Sequence, residues 1–195
     1  MLPPADFLPA AERFGLVGEI DRYMVHHGIE LAAGGRAVEI NLSGQSIGDQ
    51  ALTRQIEREL KQTGADPSRV VFEITETAAV RDIEAARAFS TRIAHLGCKC
   101  ALDDFGTGFG SLTYLRQLAV QFLKIDISFV RGLTQNAADQ QVVRSIVRLA
   151  RDHGQETVAE GVEDEATLEL LRTLDVGYAQ GFYIGRPEPV TAGVD

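Results

Sequence analysis

Segments with the pattern of β-strands alternate with segments with the pattern of amphipathic helices along nearly the whole chain. The strand-like runs are short and rich in β-branched and aromatic residues, and they recur at intervals of about 25 to 35 residues. Two neighbouring parallel strands need a long crossover connection, which is usually a helix. The alternation therefore predicts an α/β protein with a parallel sheet. The predicted strands are 37–43, 69–76, 98–103, 120–126, 155–160 and a weaker one within 176–183.

Two architectures remain open on this pattern alone. Six βα units are too few for a closed barrel of eight strands, and they suit an open sheet with helices on both faces equally well. No linker, low-complexity tract or shift in composition interrupts the 195 residues. We therefore predict a single domain over residues 1–195.

The overall charge narrows the classes of partner. Lysine and arginine number 19 against 28 aspartate and glutamate residues, which gives a net charge of −9. This balance argues against a nucleic-acid polymer as the partner, because such binders neutralise phosphates with positive side chains. A small phosphate ligand held through metal ions remains compatible with it, since the cations supply the missing charge locally.

The sequence also predicts where the protein works. No apolar run approaches the roughly 18 residues of a membrane span, and no basic segment followed by an apolar core marks a secretory signal at the N-terminus. Cys98 and Cys100 lie two residues apart in a predicted strand, where a disulfide between them is difficult to form. We interpret them as buried free thiols of a protein in the reducing cytoplasm.

One octapeptide, residues 101–108, contains two adjacent carboxylates at the end of a predicted strand. Asp103 and Asp104 follow an apolar run, and Gly106 and Gly108 come directly afterwards. Consecutive strand residues point to opposite faces, so the two carboxylates converge only where the backbone turns, a freedom that the glycines supply. A pair of hard oxygen ligands suits Mg²⁺ or Mn²⁺. The alternative is a strand-to-helix turn in which an aspartate only caps the helix.

Polar side chains accumulate at the carboxyl end of every predicted strand. The carboxyl ends of parallel strands face one common mouth, where α/β folds place their chemistry. Carboxylates crowded there repel one another unless cations lie between them, and two divalent ions would also serve phosphodiester hydrolysis. The residues in question are Asn41, Glu73, Glu76, Asp103, Asp104, Lys124, Asp126, Glu160, Glu163 and Gln180.

Each of these residues has an ordinary alternative when it is taken singly. Asn41 has the character of a turn former, and Glu73 would point outward from an ordinary strand. Lys124 would reach solvent from an edge strand, and Glu160 would face solvent in a loop. The four histidines of the chain show no ligand spacing, and we interpret them as surface residues.

The motifs at the strand ends resemble those of the EAL-domain phosphodiesterases of bacterial cyclic-di-GMP signalling. The resemblance extends from about Pro4 to Pro189, and the motifs occur in the family's order. They are INLS at 40–43, EITE at 73–76, DDFGTG at 103–108, LKID at 123–126, AEGVE at 159–163 and QGFYIGRP at 180–187.

The resemblance implies a TIM-like (β/α) barrel with one antiparallel strand, and metal-dependent hydrolysis of cyclic-di-GMP to linear pGpG. It implies two ions, Mg²⁺ or Mn²⁺, with Ca²⁺ inhibitory. Lys124 would hold the attacking water or a phosphate oxygen, and Glu160 would be the general base or a ligand of the second metal. The four residues that would bind the metals are Asn41, Glu73, Asp103 and Asp104.

The remaining motif residues would have supporting roles by the same resemblance. Glu76 would brace the loop after Asp104, and that loop contributes to dimerisation in this family, so a homodimer is implied. The residues that would support the site or contact the substrate are Asp126, Glu163 and Gln180.

One departure from the family is large. The signature Glu-Ala-Leu, which precedes the region matching 4–12 in the family, does not occur in this sequence. The family's metal-binding glutamate, phosphate-binding arginine and first two strands are missing together with this motif. We therefore expect an incomplete barrel and weak or absent catalysis by this chain alone. Two other functions stay open, a cyclic-di-GMP receptor without catalysis and a module that binds only proteins.

Overall fold

A computed structural model of the protein describes residues 4–108 and 112–190. The contacts between residues divide the chain into two units, 1–122 and 123–195. Each unit alternates strands and helices, as the sequence pattern predicts.

The first unit contains three strands and five α-helices in the described residues. Short 3₁₀ helices at Pro67–Arg69 and Leu112–Gln117 complete it. The strands are β1 (Val38–Leu42), β2 (Val70–Thr75) and β3 (Lys99–Phe105). The helices are α1 (Pro4–Arg13), α2 (Val17–Ala33), α3 (Gln50–Thr63), α4 (Glu76–Arg81) and α5 (Ile83–His95).

The three strands of the first unit pair in parallel, which confirms that part of the prediction. Ile40 is the register partner of Phe72 on β2, and Phe72 is in turn the partner of Cys100 on β3. The Phe72 ring is fully buried and meets the Phe89 ring of α5 edge to face, with ring centroids 6.0 Å apart. Helix α5 therefore covers the sheet and contributes to its hydrophobic core.

The helix boundaries follow the capping residues in the sequence. The Asp49 carboxylate accepts a hydrogen bond of 2.7 Å from the Ala51 amide at the start of α3, as Asp82 does from Ala85 at the start of α5. The assignment of Glu76 to a strand is wrong. Strand β2 ends one residue earlier because the Thr75 hydroxyl caps the Ala78 amide and starts α4 there.

The second unit also alternates strands and helices. Strands β5 and β6 pair in parallel through Ala159 and Ala179, and Leu123, Ile125 and Leu171 are buried. The elements are β4 (Phe122–Ile125), α6 (Ile127–Val130), α7 (Ala137–Asp152), β5 (Glu156–Ala159), α8 (Glu165–Thr173) and β6 (Tyr178–Ala179). The first residue of β4, Phe122, still belongs to the first unit. Of the helices in the described residues, none has both the length and the apolar character to cross a membrane.

The two cysteines are buried free thiols, as predicted. Both lie on the first unit, Cys100 within β3 and Cys98 directly before it. Burial raises the pKa of each thiol to about 12. Both are therefore protonated and unreactive at neutral pH.

Candidate active site

Three of the predicted metal ligands lie on one face of the sheet in the first unit. Asn41 on β1 is the register partner of Glu73 on β2, and Glu73 is the partner of Ala101 on β3. Asp103 is two residues beyond Ala101, and strand residues two apart share a face. Parallel pairing thus places an amide and two carboxylates side by side near the carboxyl ends of three neighbouring strands.

The backbone turns at Asp104, and this turn brings the two adjacent aspartates together. Asp104 has a φ of +54°, a left-handed conformation that is uncommon for a residue with a side chain and that Asp tolerates better than most. The two carboxylates each offer an oxygen within 4.8 Å of the other. The predicted convergence is confirmed, but the turn begins at Asp104 itself rather than only at the glycines that follow.

This donor set fits a hard divalent cation. Glu73 is only 2% exposed, and Asp103 and Asp104 are half-buried. Carboxylate and amide oxygens are the ligands that Mg²⁺ and Mn²⁺ prefer. The alternative of an outward-facing Glu73 is wrong, because the side chain is buried, and neither Asp103 nor Asp104 caps a helix, since β3 continues to Phe105.

Glu76 braces the loop that follows Asp104. Its Oε2 accepts hydrogen bonds from the amides of Gly106 (2.9 Å) and Gly108 (3.4 Å), and its Oε1 accepts one of 2.6 Å from the Tyr114 hydroxyl. A Cβ at position 108 would lie 3.0 Å from Glu76 Oε1, so the close approach favours glycine there. Burial, with the hydrogen bond to Glu76, raises the pKa of Tyr114 well above its usual range, so the hydroxyl remains a donor.

Replacing Tyr114 with Phe is expected to destabilise the protein by about 1–3 kcal/mol, because the buried Glu76 carboxylate loses a donor. Urea unfolding followed by circular dichroism measures this change. Tyr23→Phe is the matched control, since Tyr23 is exposed, and it should leave the free energy of unfolding unchanged. Equal midpoints for the two variants would show that the Tyr114 hydroxyl does not support Glu76.

The second unit contains an ion pair between two of the predicted catalytic residues, the buried Lys124 and the part-buried Glu160. Lys124 on β4 is 3% exposed, and its Nζ lies 2.7 Å from Glu160 Oε1. Glu160 directly follows β5, and its amide donates a hydrogen bond of 3.2 Å to the Ile125 carbonyl. The alternative in which Lys124 reaches solvent is wrong, because burial holds its ammonium group against the Glu160 carboxylate.

The other three predicted residues of the second unit are less enclosed. The Asp126 carboxylate accepts a hydrogen bond of 2.9 Å from the Ser128 amide and caps α6. The exposed Glu163 lies 3.3 Å from Arg131 Nη2. The Gln180 side chain is exposed, while its backbone amide bonds to Ala159 and its carbonyl to Val162. The contacts of Glu163 and Gln180 lie in the loops after β5 and β6, and that of Asp126 lies at the start of α6. Substrate contact by the three side chains stays a prediction.

Gly161 fixes the backbone next to Glu160. It has a φ of +68°, and an added Cβ would lie 2.2 Å from Ile127 Cγ1. Gly161→Ala is therefore expected to destabilise the protein by more than the roughly 1–2 kcal/mol of left-handed strain alone. Gly132→Ala is the matched control, because Gly132 has a φ of +86° with nothing within 4 Å of the added atom. Thermal unfolding of both variants measures the difference, and equal losses would contradict the close contact with Ile127.

A comparison with known families decides where the chain belongs. A model of the EAL domain matches residues 1–187. The chain belongs to the EAL-domain family. Its relatives include the cyclic di-GMP phosphodiesterase PdeB of Shewanella oneidensis, which is 39% identical over 198 residues. The match covers 98% of this chain but 23% of PdeB, so this EAL domain spans about a quarter of that relative.

Solved EAL structures match the fold closely. The PaMucR phosphodiesterase in complex with c-di-GMP superposes with a TM-score of 0.91 at 35% identity, covering 97% of this chain and 79% of that one. The FimX EAL domain from Pseudomonas aeruginosa bound to c-di-GMP gives a TM-score of 0.90 at 31% identity, covering 96% and 77%. These matches confirm the predicted fold class, which is an incomplete TIM-like (β/α) barrel of the EAL type. The described residues of this chain contain six of its strands, with their helices. The open-sheet alternative is wrong.

Two residues that the sequence patterns do not reveal support this EAL domain's site. One is Tyr114, which no motif includes. The other is Asp21, a buried residue of α2 whose carboxylate accepts hydrogen bonds from the amide (3.1 Å) and hydroxyl (2.5 Å) of Ser43. Ser43 lies two residues after Asn41, so Asp21 fixes the end of β1. A lone aspartate among the apolar residues that α2 buries was the available signal.

Proposed function

We propose that this EAL domain hydrolyses cyclic-di-GMP to linear pGpG. The observation that carries the proposal is the set of oxygen donors from Asn41, Glu73 and Asp103 on one sheet face, with the turn at Asp104 that adds another carboxylate. The names of the relatives support the substrate, since PdeB is a cyclic di-GMP phosphodiesterase and PaMucR was solved with c-di-GMP.

Mg²⁺ or Mn²⁺ is the cofactor that this donor set suits. Asn41, Glu73, Asp103 and Asp104 would hold the ions, because their oxygens are hard ligands and their charges balance divalent cations. When bound, such ions acidify water and neutralise charge on the attacked phosphate. Ca²⁺ prefers longer bonds and more ligands, so we expect it to support binding but to inhibit hydrolysis.

Lys124 and Glu160 are proposed to act on the reacting atoms. The Lys124 ammonium group would hold the attacking water or stabilise negative charge on a phosphate oxygen, because a fixed cation in a dry site is more effective than one in water. The Glu160 carboxylate would accept the proton of the attacking water or serve as a further metal ligand. Their separation of 2.7 Å supports joint action on one group.

The remaining residues would support this chemistry. Glu76 would keep the loop after Asp104 in place, and we propose that this loop contributes to a homodimer. Asp126, Glu163 and Gln180 are proposed to position the loops that meet the substrate. We further propose that the protein works in the cytoplasm, with cyclic-di-GMP rather than a nucleic-acid polymer as its ligand.

A second candidate is a cyclic-di-GMP receptor without catalysis. The observation that favours it is the FimX EAL domain, 31% identical to this chain, which was solved bound to c-di-GMP. A receptor would bind the dinucleotide and leave it intact.

Isothermal titration of cyclic-di-GMP into the intact protein tests the proposal, first with Ca²⁺ and then with Mg²⁺. We expect binding in both ions and the heat of a continuing reaction in Mg²⁺ alone. Tight binding in Mg²⁺ with no further heat would favour the receptor, and no binding in either ion would reject both candidates.

A further inference from the structure

We propose that a second metal site, for a divalent transition ion such as Zn²⁺, lies on the surface of the first unit. It consists of His26, His27 and Glu30 on α2, supported by Glu59 on α3, and we call it the α2 histidine site. It goes beyond the proposed hydrolysis, because none of these residues belongs to the motifs of the family or to the strand ends.

The three α2 residues place their ligand atoms close together. His26 Nε2 lies 3.4 Å from Glu30 Oε1, and His27 Nδ1 lies 3.7 Å from Glu30 Oε2. One ligand atom from each residue lies within 4.8 Å of the other two. Two ligands bound at about 2.0–2.1 Å to a tetrahedral ion are separated by about 3.3–3.4 Å. The distance between His26 and Glu30 already equals that separation, so an ion needs little rearrangement to enter.

The spacing on the helix accounts for this geometry. Residues three and four apart on a helix are neighbours on its surface, and Glu30 is three residues after His27 and four after His26. All three side chains are about half exposed, which leaves the ligand atoms open to an ion from solvent.

A glutamate from the neighbouring helix lies beside the ring of His26. Glu59 Oε2 lies 3.4 Å from His26 Nδ1, on the opposite side of the ring from Nε2. This oxygen is buried and accepts no hydrogen bond within the described residues, while the other oxygen of Glu59 accepts one of 2.9 Å from Gln55 Nε2. A carboxylate behind a ligating histidine is the usual arrangement at metal sites, because it fixes the tautomer that leaves the other nitrogen free.

The ligand types select the class of ion. Imidazole nitrogens with one carboxylate suit Zn²⁺, Cu²⁺ or Ni²⁺, whereas Mg²⁺ prefers oxygen ligands alone. The α2 histidine site and the proposed Mg²⁺ ligands at the strand ends therefore differ in selectivity. The ring of Tyr23, whose centroid lies 4.1 Å from that of His27, limits the movement of the second histidine.

Calorimetric titration of Zn²⁺ into the intact protein, in a large excess of Mg²⁺ that occupies oxygen-only sites, tests this proposal. We expect one Zn²⁺ to bind, and the heat of that site to disappear in His26→Gln and Glu30→Gln. Glu59→Gln should weaken Zn²⁺ binding by about tenfold to a hundredfold, as expected for a residue that orients a ligand. His95→Gln is the matched control, because His95 is an exposed histidine of another helix, and it should bind Zn²⁺ as the wild type does.

A second measurement keeps the two proposals separate. Paramagnetic Cu²⁺ should broaden the ring-proton NMR signals of His26 and His27 at concentrations that leave those of His95 sharp, both in the wild type and in Asp103→Asn. The proposal would be contradicted if the wild type, His26→Gln and Glu30→Gln bound Zn²⁺ equally, or if all histidine signals broadened equally. Either result would show that the cluster is only a surface ion-pair network. Hydrolysis of cyclic-di-GMP should be retained in His26→Gln, so failure of one proposal does not imply failure of the other.

Discussion

Replacing Lys124 with Met is expected to lower kcat for cyclic-di-GMP by about a hundredfold to a thousandfold, the usual cost of removing one group that stabilises transition-state charge. Lys124 is buried, and its ammonium group lies 2.7 Å from Glu160. Methionine nearly preserves the volume but removes the charge that would act on the phosphate or the attacking water. Initial rates of pGpG formation measure the effect, with KM expected to change much less than kcat.

Lys99→Met is the matched control for this prediction. Lys99 is also a strand lysine, but it begins β3 and lies 5.5 Å from the Phe122 ring, so its replacement should leave kcat within about twofold of the wild type. Removing one partner of a buried ion pair also destabilises a protein, so unfolding of Lys124→Met is measured in parallel. Glu160→Gln keeps the size of its side chain and should also lower kcat. A normal kcat in both variants would show that the pair is only structural.

Replacing Asp104 with Asn is expected to raise the Mg²⁺ concentration for half-maximal activity by at least about tenfold, because a metal ligand loses its charge. Asparagine is well suited to this test, since it tolerates the left-handed φ of +54° that Asp104 adopts. The backbone turn is therefore preserved while the charge is removed. Activity measured over a range of Mg²⁺ concentrations gives the shift, and Asp103→Asn should behave in the same way.

Asp152→Asn is the control for the loss of one negative charge. Asp152 is exposed at the end of α7, so its replacement should leave the Mg²⁺ dependence unchanged. If Asp104→Asn and Asp152→Asn respond alike, the aspartates act only through the net charge of the protein and do not bind the metal.

Local signals in the sequence predict much of this fold. Asp49 and Asp82 precede helices that begin directly after them, because their carboxylates cap the first free amides. The apolar strand runs end in polar residues, which places Asn41 and Glu73 at neighbouring positions once the strands pair in parallel. These features depend on residues close together in the sequence or on the regular geometry of parallel strands.

Features that depend on contacts between distant residues could not be predicted in this way. The hydrogen bond from Tyr114 to Glu76 joins residues 38 positions apart, and that from Ser43 to Asp21 joins residues 22 apart. The positive φ of Asp104 lies directly before the loop that Glu76 holds, whereas the motif alone assigned the turn to the glycines. The position of Glu59 beside His26 likewise depends on how α3 packs against α2.

Chromatography of the products formed from cyclic-di-GMP tests the central claim most directly. The intact protein is incubated in excess over the nucleotide with Mg²⁺, and in parallel with a chelator. We expect conversion of cyclic-di-GMP to linear pGpG with Mg²⁺ and none with the chelator. Recovery of intact cyclic-di-GMP from both incubations, with binding established by titration, would contradict hydrolysis. The protein would then be a cyclic-di-GMP receptor without catalysis.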